Sequence, residues 1–181
     1  GADRAALTDG LRADARQSLT EPKTVAESTV TFVRTMTQMD AKIAGNVHGG
    51  VIMKEVDSAA GTAAIRHAGR PCVTAAIDEL SFLEPVYVGD LLTVTATVND
   101  VGRTSMEVGV KVEAVSHLGG EKLHTTGAYL VMVALDESGH PTEIPPLVTS
   151  TLEEERRRAQ ARVRREIRKE RAARVSGAGQ P

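Results

Sequence analysis

A chain of 181 residues with 41% hydrophobic content is long enough for one buried core and too short for two ordinary domains plus its polar ends. Aromatic residues make up 2% and Trp is absent, so Val, Ala, Leu, Ile and Met must build that core, and a base-stacking surface for single-stranded nucleic acid is disfavoured. The lone Cys72 rules out an internal disulfide, and no apolar run approaches the roughly 18 residues that span a bilayer. Residues 1–20 lack the apolar block of a signal peptide, so a cytoplasmic protein without membrane contact is expected. Net charge is −2 but unevenly placed: residues 152–174 carry ten Arg or Lys against five Glu. The spacings Glu153 to Arg157 and Glu154 to Arg158 suit i,i+4 pairing, so this basic stretch reads as a solvated helix, and no nucleic-acid partner is expected.

Residues 1–28 form an N-terminal extension. Residues 29–37 alternate like a strand, with Val30, Phe32, Arg34 and Met36 on one side, and a turn through Gly45 ends it. A helix follows from Gly50 to about His67. Its apolar stripe is Ile52, Val56, Ala59, Ala60 and Ala63, and Asp57 lies on the shoulder shared by Gly50, Met53 and Gly61. Gly69, Arg70 and Pro71 stop it. Four β-rich runs then occupy 72–83, 91–101, 105–116 and 122–135, and the short glycine-containing turns between them predict a four-strand antiparallel meander. Strand, long helix and meander together give an α+β domain over 29–136, a curved antiparallel sheet wrapped around one helix. A connector over 137–150 contains Pro141, Pro145 and Pro146; a charged helix over 151–175 and a flexible tail over 176–181 complete the chain.

The stretch from Asp40 to Asp57 carries the chemistry. Gly49 and Gly50 open the helix, and amide groups at a helix start, unhindered by a Cβ, suit a carbonyl oxygen that is gaining negative charge. Asp57, two turns on, is a candidate base. His48, beside the glycines, invites a proton-transfer role, but packing is the preferred reading. Cys72 reads as a buried thiol rather than a nucleophile. The five histidines, at 48, 67, 117, 124 and 140, lack zinc-site spacing, so no metal is expected. Ser58 and Ser81 lack the glycines of a nucleophile elbow.

The run Ala44-Gly45-Asn46-Val47-His48-Gly49-Gly50, with an acid seven residues after the second glycine, resembles the hotdog-fold acyl-CoA thioesterases of the cytosolic long-chain type. Three further matches occur in order: Ser81-Phe82-Leu83-Glu84-Pro85-Val86-Tyr87-Val88-Gly89-Asp90, Thr104-Ser105-Met106-Glu107-Val108, and Ile144-Pro145-Pro146-Leu147-Val148 before the charged helix. The resemblance implies dimers whose sheets join, thioester sites at the dimer interface and trimers of dimers. It implies fatty acyl-CoA as substrate, coenzyme A entering only as part of substrate and product, with no separate cofactor. Gly49 and Gly50 would hold the carbonyl oxygen and Asp57 would orient or deprotonate water. Asn46, Ser81, Thr104 and Ser105 would line the substrate site, and Arg66, His67, Arg70 and Arg103 would meet the coenzyme A phosphates. The family carries Asn where this chain has Lys42, a side chain that donates to an oxyanion or pairs with Asp57 but accepts nothing when protonated. The alternative is therefore an acyl-CoA-binding protein of the same fold, inactive or slow because of Lys42.

Overall fold

The computed structural model describes residues 21–116 and 118–177. Residues 1–20 of the N-terminal extension, His117 and residues 178–181 of the tail lie outside the described residues.

The helix predicted from about Gly50 runs Gly49–Ala68 (α2), and it buries Ile52, Val56, Ala59, Ala60, Ala63 and Ala64. Four alanines on this face have little side-chain bulk, so the sheet approaches the helix closely. Gly69 ends the helix in the left-handed region, φ 67°, with its N–H donating to the Ile65 carbonyl at 2.8 Å, the conformation that favours glycine at that position.

Around α2 curls a five-stranded antiparallel sheet made of β2 (Val30–Thr35), β3 (Cys72–Phe82), β4 (Leu91–Val101), β5 (Ser105–Val115) and β6 (Leu123–Ala134). The order is β2-β4-β5-β6-β3. Among the described residues β4, β5 and β6 form a three-strand meander, not the four-strand meander expected from the turns. Residues 83–90 do not reverse the chain onto β3 but carry it across the sheet to β4, and β3 pairs instead with β6, Leu80 opposite Ala128. Turn length alone did not reveal this, because the crossing needs no more residues than a long hairpin loop does. Alternating residues of the three central strands, among them Leu92, Val94, Met106, Val108, Leu130 and Met132, face α2 and close the core. Among the described residues β3 is an edge strand.

Part of the stretch read as an extension belongs to the packed structure. Lys23–Thr24 (β1) pairs in parallel with Leu147–Val148 (β7), and the short helix Val25–Ser28 (α1) buries Val25 and Ser28. His67 ties these pieces together. Its Nε2 donates to the Pro145 carbonyl at 2.9 Å, which makes Nδ1 of the neutral ring the acceptor for the Ser28 hydroxyl at 2.8 Å.

The charged helix runs Leu152–Gly177 (α3) and lies on the outer face of the sheet. It is not simply solvated. Arg158, Arg162 and Arg165 converge on Asp100, Arg164 grips Glu107 through two nitrogens and stacks 3.6 Å from the Tyr129 ring centroid, and Arg168 pairs with Asp78. The face turned to the sheet is thus mostly arginine, while Leu152, Val163 and Ile167 point to solvent.

Candidate active site

The loop before α2 is held from beneath. Asp40, almost wholly buried, accepts from the Thr37 N–H at 2.8 Å, the Thr37 hydroxyl at 2.9 Å and Arg34 at 2.6 Å, and these contacts hold its carboxyl below the ordinary carboxylate range. Arg34 also pairs with Glu55 of α2, so one guanidinium fastens the loop to the helix. The Asp40 carbonyl accepts the His48 N–H at 2.8 Å. A tight turn follows Asp40: Lys42 N–H donates to Asn46 O and Gly45 N–H to Lys42 O, both at 2.9 Å, with Gly45 at φ 90°. That turn delivers His48 to the helix start.

His48 is the N-cap. Its Nδ1 accepts the Gly50 N–H at 3.0 Å, so Gly50 is not the free donor that the glycine pair suggested, and within one chain the His48 ring is exposed. The Val51 N–H is taken by the His48 carbonyl at 2.9 Å. Among the described residues the Gly49 N–H has no acceptor. A cavity of about 340 Å³ opens beside it, with Ile52, Phe82, Leu83 and Val86 as apolar walls and Lys42, Asn46, Glu84 and Thr126 as polar ones. A Cβ on Gly49 would sit 3.3 Å from the Phe82 ring, and one on Gly50 3.1 Å from His48 Nδ1. Both contacts are tighter than ordinary packing, so a side chain at Gly49 would push the Phe82 ring aside and one at Gly50 would crowd the His48 cap. Phe82 and Ile52 were visible in sequence only as a family match and a core position; their role as walls depends on β3 lying beside the helix start.

Asp57 is exposed and accepts the Thr74 hydroxyl at 2.6 Å. Thr74, on the edge strand β3, was not singled out in the sequence; the signal was there only as a hydroxyl on the strand that follows the helix. Eight residues separate Gly49 from Asp57, about 12 Å along the axis at a rise of roughly 1.5 Å per residue. One carbonyl group cannot touch both within a single chain. Lys42 stands exposed at the cavity and makes no ion pair with Asp57 in one chain.

The expected phosphate-binding residues gather at the other end of α2. Backbone bonds from Leu135 N to Pro71 O, Ala134 N to Thr104 O and Ile144 N to Arg103 O bring residues 70–71, 103–105 and 134–144 together. Arg66 and Arg103 are exposed there, Thr104 and Ser105 half-buried, and Arg70 is half-buried with one guanidinium nitrogen on Thr142 at 3.2 Å. His67 must be removed from this group: it is fully buried, both ring nitrogens are engaged, and desolvation pushes its pKa below the ordinary histidine value. Ser81 lies on β3 and donates to Glu79 at 3.2 Å. Cys72 is half-buried and burial raises its thiol to about 11, which leaves it protonated and poorly nucleophilic near neutral pH.

Comparison with known proteins follows the same lines. Residues 44–120 match the model of the Thioesterase superfamily. The cytosolic acyl coenzyme A thioester hydrolase of Rattus norvegicus is 32% identical over 76% of this chain, and the chain spans 36% of the length of that protein. An uncharacterized acyl-CoA thioester hydrolase of Bacillus subtilis is 34% identical over 74% of this chain and 78% of its own length. A hexameric acyl-CoA thioesterase crystallised without ligand superposes with a TM-score of 0.82 at 38% identity, covering 84% of this chain and 98% of the other. An acyl-CoA hydrolase from Staphylococcus aureus, solved with butyryl coenzyme A and coenzyme A, gives 0.80 at 31%, covering 86% and 95%. The fold, the glycine-opened helix and these likenesses agree: the chain belongs to the acyl-CoA thioester hydrolases of the hotdog thioesterase superfamily.

Proposed function

We propose that this chain hydrolyses fatty acyl-CoA to free fatty acid and coenzyme A at composite sites, each formed by the Gly49 end of one protomer and Asp57 of a second. The observation that carries this reading is the separation of about 12 Å between an unpaired amide beside an apolar cavity and a carboxylate beside an edge strand. Joining two copies through β3 supplies the missing half. The edge invites it: Val73 and Ile77 on β3 and Met53 on α2 are 46, 42 and 42% exposed.

In such a site the acyl chain enters the cavity walled by Ile52, Phe82 and Val86, and the thioester oxygen meets the Gly49 N–H. Water attacks the carbonyl carbon and gives its proton to Asp57, while the oxygen takes up negative charge against the amide. Collapse of the tetrahedral intermediate breaks the C–S bond, and the departing thiolate recovers the proton from Asp57. Thr74 holds the carboxylate so that its other oxygen faces the water. In the S. aureus hydrolase three residues have each been replaced by alanine: an Asn, an Asp fifteen positions later and a Thr seventeen positions after that. The same intervals counted about Asp57 fall on Lys42 and Thr74. Arg66, Arg70 and Arg103 offer cations to the phosphates, and assembly beyond the dimer follows the hexameric relative.

The second reading, an acyl-CoA binder without turnover, is favoured by Lys42 alone. Thiol release from acyl-CoA substrates separates the two. Turnover that falls at least about 100-fold in Asp57→Ala supports hydrolysis; tight binding with no release, unchanged in Asp57→Ala, overturns it.

A further inference from the structure

The helix α3 is longer than the sheet it covers. Arg158 pairs with Asp100 on β4 and Arg168 with Asp78 on β3, and between those strands lie β5 and β6. Ten helical residues rise roughly 15 Å, and three strand spacings amount to roughly 14 Å. α3 therefore crosses the strands nearly at right angles and reaches the edge of the sheet at Arg168. Residues 169–175 continue past it. Ala161 and Ala172 stand three turns apart on one face of the helix, yet Ala161 is 1% exposed and Ala172 lies open with all its neighbours from Lys169 to Val175. The overhang extends about 10 Å, the width of two further strands.

We infer that the last two turns of α3 dock on the outer sheet face of a second copy joined at β3, with Arg171 pairing there with Glu79. This rests on the dimer proposed above. Continuity places the second sheet directly beneath the overhang, because the strand α3 passes over is the one through which the copies join. Charge complementarity selects the contact. Among the described residues Arg171 makes no ion pair, and it stands two turns after Arg164 on the flank of the helix that already reaches the sheet. Glu79 is exposed on β3 opposite Tyr129, whose ring lies under Arg164, so its carboxylate is on the α3 side of the sheet; it receives the Ser81 hydroxyl, feels Arg164 at longer range, and makes no ion pair among the described residues. The neighbouring Asp78 is already taken by Arg168. Two-fold symmetry makes the contact twice per dimer, each helix strapping the other protomer.

Sedimentation of the full chain, a chain ending after Arg168, the variant Arg171→Glu, and that variant combined with Glu79→Arg tests the strap, with circular dichroism confirming that each folds. Loss of the overhang or reversal of the Arg171 charge raises the dimer dissociation constant at least about tenfold, and the combined variant restores the full-chain value to within about threefold. An unchanged dissociation constant in the shortened chain, or no recovery in the combined variant, overturns the strap. A full chain that hydrolyses acyl-CoA and dimerises through these controls leaves the composite site standing; a full chain monomeric at every concentration removes both.

Discussion

At the scale of single residues, the helix start divides its labour by what each amide already holds. His48 takes the Gly50 N–H while the Gly49 N–H has no acceptor among the described residues, and the two glycines cease to be equivalent. His48→Ala removes a cap worth about 1 kcal/mol, whereas His48→Asn keeps an acceptor at that position and restores most of the stability in denaturant titrations. Gly49→Ala drives a methyl group against Phe82, so turnover falls more than stability does. The bond from Thr74 to Asp57 predicts that Thr74→Val lowers kcat about tenfold with KM little changed, read in a steady-state thiol-release assay. Lys42→Asn is expected to raise kcat, since an amide both donates and accepts where an ammonium group only donates. Cys72, with its thiol at about 11, resists alkylation at neutral pH, and exposure to iodoacetamide leaves activity intact.

At the scale of elements, two contacts decide how the pieces are joined. Asp100 is 1% exposed and surrounded by Arg158, Arg162 and Arg165; Asp100→Ala leaves these guanidinium groups without their shared partner and costs about 3 kcal/mol in denaturant-unfolding measurements. His67 joins α1, α2 and the segment before β7. Burial lowers its folded pKa, so the folded protein binds that proton less readily than the unfolded chain. Its contribution is fully present above the unfolded value of about 6.5 and is lost as the pH falls from there toward the depressed folded value. Unfolding free energy therefore declines on acidification below pH 6.5 by up to about 1.4 kcal/mol per pH unit, and His67→Gln flattens that slope. The periodicity of α2 and the alternation of β4 to β6 were legible because each element writes its buried face at its own repeat. The arginine face of α3 was not: its partners Asp78, Asp100 and Glu107 lie on three different strands.

For the whole molecule, the composite site makes a prediction no single chain can meet. Gly49→Val and Asp57→Ala protomers, each inactive alone, recover about a quarter of wild-type activity when mixed and allowed to exchange, because half the dimers are then mixed and each of these carries one intact site. A site confined to one protomer recovers nothing. By itself, the sequence determined the α+β class, the glycine-opened helix and the family likeness, since these rest on local propensity, residue spacing and contiguous motifs. Tertiary structure decided the place of β3 at the sheet edge, the partnership of Thr74 with Asp57, the occupation of the Gly50 amide, the burial of His67 and the overhang of α3. Each of those depends on groups brought together by the packing of the sheet around the helix, or on a side-chain orientation that spacing leaves open.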